Sequence, residues 1–220
     1  MADRAAKEAL FDELARIAKA LGSGRRAEIV DLLANGERSV ESIASELDLS
    51  VANASQHLQI LRRAGLLTAR RERTSIIYRV ATTEVIVLWR ALQSIARKQI
   101  AEVERLALAY TGELDGIELL TKEELAIRLR RKNQPLVLDV RPEEEYAAGH
   151  LPGAVSIPVD ELEKRLSELP KSVEIVAYCR GPFCAFAPEA ARYLKKKGYR
   201  VKALEEGLPD WRAAGLPLEG

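Results

Sequence analysis

The sequence predicts two domains of different class: a mainly α first half closed by one β-hairpin, and an α/β second half with a mainly parallel sheet. Three observations carry this expectation. Apolar residues before about position 110 recur at helical spacing, whereas those after about 117 fall in short runs that alternate with helical segments. Between them lies Thr111-Gly-Glu-Leu-Asp-Gly116, a short stretch with two glycines. Finally, 220 residues, 47% hydrophobic and 30% charged, leave room for two small cores. The domains are therefore set at 1–110 and 117–220, with a linker at 111–116.

In the first half, Leu10, Leu14, Ile17, Ala18 and Leu21 mark a helix that Gly22-Ser23-Gly24 stops. A second helix, Arg25 to Ala34, ends at Asn35-Gly36. Ser39 caps a third, with Val40, Ile43, Ala44 and Leu47 on its inner face. The turn Asp48-Leu49-Ser50 leads to a fourth, Val51 to Ala64, closed by Gly65. Two helices joined by so tight a turn form a helix-turn-helix pattern. Leu66–Arg71 and Ser75–Val80 then read as two strands around a basic turn, a wing. One long amphipathic helix follows from Thr83 to about Ala109, with an apolar face too long for so small a core to cover, so a homodimer is expected.

In the second half, Leu136–Val140 and Val173–Tyr178 are the strongest strands, and 155–157 and 201–204 are weaker ones. Helices are expected at Thr121–Arg131, where Thr121 and Glu124 form a capping box, and at 143–148, 160–168, 188–197 and 209–214.

Composition narrows the function. The longest uncharged apolar stretch, Val85–Trp89, is far below the ~20 residues of a membrane-spanning helix, so no membrane partner is expected. The N-terminal residues show no apolar core followed by a small-residue cleavage site, which makes a cytoplasmic location the expectation. Two cysteines are too few for a disulfide scaffold. The first 110 residues carry 17 basic against 14 acidic groups and the remainder 17 against 19. Arginines 62, 63, 70, 71, 73 and 79 cluster around the wing with one acid, Glu72, a density that suits phosphate contacts or a solvated charged hairpin.

In open α/β sheets, ligands gather outside the carboxyl ends of the strands, and the strongest strand runs directly into Cys179. Backbone N–H groups of the following loop, and a helix starting at Pro188, would favour a thiolate or persulfide there, holding Cys179 below the ordinary thiol value of about 8.5. Cys184 lies five residues on, placed to attack a persulfide on Cys179.

Residues 117–220 resemble a single rhodanese (sulfurtransferase) domain, through Asp139-Val-Arg141, Glu145-Tyr146, Gly149-His-Leu-Pro-Gly-Ala154, Tyr178-Cys179-Arg180-Gly181, Gly207-Leu-Pro-Asp-Trp211 and Gly215-Leu-Pro217. The resemblance implies a persulfide on Cys179, Arg180 as a charge stabiliser, and Asp139, Arg141 and His150 as structural support of the loop. The loop departs from the family pattern where an arginine often follows the cysteine by five or six residues, because Cys184 and Ala185 stand there. Pro182 also removes a backbone donor. These departures suit a sensor whose thiols bridge better than a turnover catalyst.

Residues 1–110 resemble the ArsR/SmtB winged-helix repressors, through Ala20-Leu-Gly-Ser23 with Arg26, Ser50–Gly65 and the wing ending Ile76-Ile-Tyr-Arg79. That resemblance implies double-stranded operator DNA as partner, with Asn53, Ser55, Gln56, His57 and Gln59 of the fourth helix toward bases or phosphates and Arg71, Arg73 and Thr74 on the wing. It also implies a dimer built from the first and last helices. The family's metal-binding cysteine pair is missing from Ser45–Ser50 and its last-helix histidine ligands are absent, so no metal and no cofactor is expected. The resulting expectation is a DNA-binding repressor that senses reactive sulfur through Cys179 and Cys184. Two alternatives stand beside it: a working sulfurtransferase enzyme with a DNA-tethering domain, and a repressor responding to arsenite or another soft ion.

Overall fold

A computed structural model describes residues 3–114 and 116–220; Asp115 of the expected linker and the first two residues lie outside the described residues. The chain forms two compact units, Met1–Trp89 and Arg90–Gly220.

The first unit contains α1 (Arg4–Leu21), α2 (Gly24–Ala34), a two-residue strand β1 (Arg38–Ser39), α3 (Val40–Glu46), α4 (Val51–Arg63), the hairpin β2 (Leu67–Glu72) and β3 (Ser75–Val80), and the start of α5 (Thr83–Gln99). The caps sit where the residue types favour them: Ser39 accepts from the Ser42 N–H and Ser50 from the Asn53 N–H, each at 3.2 Å. Ile29, Leu33, Ile43, Leu58 and Leu61 are fully buried and form the core with Tyr78 of β3. The Trp89 indole donates to Asp31 at 2.6 Å, pinning the first part of α5 to α2.

The expected single helix from Thr83 to Ala109 is corrected. It breaks at Ile100, whose backbone is extended (φ −122°, ψ 97°), and α6 (Ala101–Thr111) follows. No proline or glycine marks the break. It is made by tertiary contacts: the Arg97 guanidinium pairs with Glu104 across it at 3.0 Å, and α6 packs on a later helix whose Arg192 donates to the carbonyls of Thr111 and Glu113. Residues from Arg90 onward consequently group with the second unit, so compactness divides the chain earlier than the 111–116 linker.

The second unit continues with β4 (Leu119–Leu120), α7 (Lys122–Leu129), β5 (Leu136–Asp139), α8 (Glu143–Ala147), β6 (Val155–Ser156), β7 (Ile175–Tyr178), α9 (Phe186–Lys196), β8 (Val201–Leu204) and α10 (Leu208–Ala213). The five strands lie in the order β4-β8-β7-β5-β6 and every pair is parallel. Side chains alternate between two buried faces: Leu138 and Ile175 meet Ala190 and Leu194 of α9, while Val137 and Val176 meet Leu125 and Trp211. Burial on both faces explains why these strands read as continuous apolar runs. The Thr121 capping box is present.

The helix expected at 160–168 is corrected to a series of turns ending in one 3-10 turn, Leu166–Glu168. Between Pro158 and Pro170 its bonds are mostly of the tighter i to i+3 kind, such as Lys164 to Glu161 at 3.0 Å and Leu169 to Leu166 at 3.2 Å. Among the described residues, no helix is long and apolar enough to cross a membrane.

Candidate functional site

Cys179 follows β7 directly and is buried; Cys184 is half-buried, and both are free thiols. A bond from the Cys184 N–H to the Gly181 carbonyl (3.0 Å) folds the loop so that the Cys179 S–H donates to the Cys184 carbonyl at 3.8 Å and the two thiols lie close enough to affect one another's titration. The backbone donors are shared between the two sulfurs: Gly181 and Ala187 serve Cys179, while Arg180 and Phe186 serve Cys184. Two of these come from the first turn of α9, which begins at Phe186, so Pro188 is the third helical residue and not the first as expected. Its missing N–H is still one that no helical partner would have used.

The expected acidity of Cys179 is reversed. Burial pushes its thiol well above the ordinary value, and its bond with Cys184 pushes in the same direction. Cys184 is held below its ordinary value, chiefly because the Cys179 S–H donates to it; the Arg180 and Phe186 N–H groups add to the effect against burial. Of the two thiols, Cys184 is the one favoured toward the thiolate.

A chain of charged groups supports the loop. Asp139, at the end of β5, lies beside Tyr178 in the sheet register, and the Tyr178 hydroxyl donates to it. The Arg141 guanidinium donates to both Asp139 oxygens, at 2.9 and 2.6 Å, with both side chains fully buried. Arg141 also donates to the Gly149 carbonyl at 2.9 Å and lies 3.8 Å from Glu145, which binds Arg180 through Nε at 2.9 Å. The network expected of Asp139 and Arg141 therefore reaches the loop through Glu145, a residue read in the sequence only as part of a motif. Arg180 turns to Glu145 and the Phe186 ring, so its charge reaches Cys184 only as a small long-range contribution. His150 is elsewhere: its ring stacks on Tyr146 at 3.8 Å, its Nδ1 meets the Tyr146 carbonyl, and its backbone pairs with Glu219, so it fixes the C-terminal segment and not the thiol loop.

Two further residues clamp the loop from outside. A Cβ on Gly207 would lie 2.3 Å from the Arg180 carbonyl carbon, so only glycine lets the start of α10 approach this closely, where the Leu208 N–H donates to the Cys179 carbonyl at 3.3 Å. Arg90 of α5 donates to the Arg180 carbonyl at 2.9 Å and pairs with Asp210 at 3.0 Å. A cavity of about 450 Å³ opens over the thiols; Arg97, Glu104, Leu108, Leu114, Pro182 and Leu204 are among its walls. Among the described residues, no three His, Cys, Asp or Glu side chains are grouped to hold a metal ion.

In the first unit, Asn53, Gln56 and Gln59 are exposed on α4, while Ser55 and His57 are half-buried. The His57 Nδ1 is buried with no hydrogen-bond partner among the described residues. Arg71, Arg73 and Thr74 are exposed at the hairpin tip, where Arg73 adopts a left-handed backbone (φ 53°) that glycine or asparagine would hold at lower cost. Arg70, counted in the basic cluster, is engaged by Glu37 and Glu72 and adds little free charge. Leu10, Phe11 and Leu14 of α1 are each more than half exposed, and Val87, Leu88 and Leu92 of α5 are exposed as well.

Residues 23–69 match the bacterial regulatory protein, arsR family, and residues 121–214 match the rhodanese-like domain. The chain is 45% identical over 213 residues to the HTH-type transcriptional regulator Rv0324 of Mycobacterium tuberculosis, covering 97% of this chain and 93% of that one. A sulfurtransferase of Allochromatium vinosum is 35% identical over 100 residues, covering 45% of this chain and 92% of that protein. Among solved structures, the homodimeric winged helix-turn-helix domain of Mb0332 from Mycobacterium bovis is 45% identical, with a TM-score of 0.43, covering 46% of this chain and 91% of that one.

Proposed function

Because the chain belongs to the ArsR family of bacterial regulatory proteins, with a rhodanese-like domain after its winged helix-turn-helix, we propose that it is a cytoplasmic, homodimeric operator-binding repressor that senses sulfane sulfur through Cys179 and Cys184. The observation that carries the sensing role is the pair of neighbouring free thiols in one loop, with the Cys179 S–H on the Cys184 carbonyl and the backbone donors divided between the two sulfurs. A turnover site keeps one sulfur cupped and a guanidinium on the oxyanion of the donor. Here the cup is divided, and Arg180 is committed to Glu145.

The chemistry starts from the anion on Cys184. It attacks the outer sulfur of a hydropersulfide RS–SH, the S–S bond breaks, RS⁻ leaves, and Cys184 carries a persulfide. Cys179 then attacks the Cys184 sulfur; the new bond is the Cys179–Cys184 disulfide, and the outer sulfur departs with the Cys179 proton as hydrogen sulfide. The two thiols are oxidised and the sulfane sulfur is reduced. This order makes Cys179 the resolving thiol, the reverse of the roles the family motif implies. Once bridged, residues 180–184 cannot keep N–H donors on two separate sulfurs, so the loop changes shape.

The test is mobility of promoter DNA with the reduced protein after exposure to a sulfane-sulfur donor or arsenite, with intact mass and thiosulfate:cyanide turnover measured in parallel. The expected result is altered mobility with the donor, loss of two hydrogens in mass, no response from Cys179→Ser or Cys184→Ser despite normal DNA binding, and slow turnover. Rapid turnover with indifferent DNA binding would make the domain an enzyme. A response to arsenite alone would make it a soft-ion sensor.

DNA contact is assigned to the exposed face of α4 with the wing. Replacing Arg71 and Arg73 by Ala is expected to weaken binding to all sequences and to lower the salt slope by about 2, since each phosphate contact releases about one counterion. An unchanged slope removes the wing from the interface. Dimerisation is assigned to the exposed apolar stripe of α1 with that of α5. Phe11→Asp with Leu14→Asp is expected to give monomers at micromolar concentration by light scattering; an unchanged mass places the interface elsewhere.

A further inference from the structure

The cavity over the thiols carries information about the donor that the sensing role alone does not. We infer that it selects an organic sulfane-sulfur donor bearing a protonated amine, such as an aminoalkyl persulfide or trisulfide, over inorganic polysulfide and over donors bearing carboxylates; this rests on the sensing role proposed above.

The first argument is size. A cavity of about 450 Å³ falls in the range of sites for small organic molecules, whereas a chain of a few sulfur atoms would leave most of it unfilled. The second is the wall. Ala107, Leu108 and Leu114, from α6 and the segment after it, face Pro182, Ala187 and Leu204, giving apolar surface for an organic body. Residues 101–114 lie outside the part of the chain that matches the rhodanese-like domain, so this wall is an addition to that domain.

The third argument is charge. Among the described residues lining the cavity, the acids are Glu104, Glu113 and Glu205, and the one base is Arg97. The Arg97 guanidinium meets Glu104 through both Nε (3.0 Å) and Nη2 (3.3 Å), so it is already neutralised. A neighbouring cleft that shares Arg97, Glu104, Pro182 and Glu205 supplies no compensating excess: its Arg90 is paired with Asp210 and its Lys122 with Glu206, leaving Lys98 against Glu205. Arg192 of α9 is not among the walls of the cavity, and its Nη1 is held by the carbonyls of Thr111 and Glu113. A polysulfide dianion entering this cavity meets like charge and no open guanidinium, whereas an ammonium group meets the exposed carboxylates of Glu113 and Glu205 while its sulfur reaches Cys184.

With a trisulfide RS–S–SR the same two steps balance. Cys184 attacks the central sulfur and RS⁻ leaves; Cys179 then attacks the Cys184 sulfur, and RSSH departs with the Cys179 proton.

The experiment follows bridging of the full-length reduced protein by intact mass and non-reducing peptide mapping, using aminoethyl trisulfide, carboxymethyl trisulfide and sodium tetrasulfide at equal sulfane sulfur, normalised to each donor's rate with free glutathione. The normalised rate with the aminoethyl donor is expected to exceed those of the two anions by about tenfold or more at low salt, and high salt is expected to narrow the gap. Glu113→Gln with Glu205→Gln, both exposed positions, is expected to reduce the preference severalfold without altering thermal stability. Equal normalised rates, a faster anionic donor, or a preference untouched by the double substitution would overturn the inference. The sensing role fails on a different readout: bridging by every donor with no change in operator binding.

Discussion

Arg141→Met is expected to destabilise the C-terminal unit by about 3–5 kcal/mol, because it leaves the Asp139 carboxylate buried without its counter-charge. Both side chains are fully buried and meet through two short hydrogen bonds, and Arg141 also holds the Gly149 carbonyl. Asp139 would keep only the Tyr178 hydroxyl and the backbone N–H of residue 141. Urea unfolding followed by the fluorescence of Trp211, buried in the same unit, measures the loss once Trp89 of the first unit is replaced by Phe. Removing both charges, as Asp139→Asn with Arg141→Met, is expected to recover a large part of it, since the cost lies in the stranded ion more than in the missing pair. A loss below about 1 kcal/mol for the single substitution would mean that water reaches Asp139.

The second large effect concerns the thiols. In the reduced protein iodoacetamide is expected to modify Cys184 ahead of Cys179 across the neutral range, because the nucleophile that it alkylates is the thiolate and only Cys184 is held below its ordinary value. Cys179→Ala removes the S–H donor that is the main cause of that depression, while the burial that opposes it remains. The Cys184 titration then moves upward. A hydrogen bond to an ion is worth about 1.5–3 kcal/mol, or about 1–2 pH units, so labelling at neutral pH is expected to slow by about 10- to 100-fold. Cys179→Ser keeps a donor at that position and is expected to preserve most of the reactivity. Faster labelling of Cys179 in the wild-type protein would restore the order implied by the family motif.

The sequence made the two halves legible because their period changes. α4, the hairpin, β5 and β7 were readable from caps, turn residues and apolar runs, each a local signal. What escaped was decided by distant partners. No proline or glycine marks Ile100 as a break; the bend is accompanied by the Arg97–Glu104 pair across it and by the hold of Arg192, some 80 positions on, over the carbonyls at the end of α6. Arg180 sits next to the cysteine in sequence, yet Glu145, 35 positions away, fixes its direction. Arg90 carried no motif at all, since its target is a backbone carbonyl 90 positions later. Likewise the closeness of Cys179 and Cys184 was plain, but which of them is acidic depends on burial and on the direction of a single S–H bond, neither of which spacing encodes.

Helix α5 begins in one unit and ends in the other: Val85 and Trp89 belong to the first core, and the next residue, Arg90, grips the thiol loop. Under the proposed sensing role, a bridge that reshapes residues 180–184 changes what Arg90 holds, and any resulting factor in operator affinity must act in reverse with equal size. Operator DNA would therefore shift the bridging equilibrium of the thiols by the same factor by which bridging changes operator affinity.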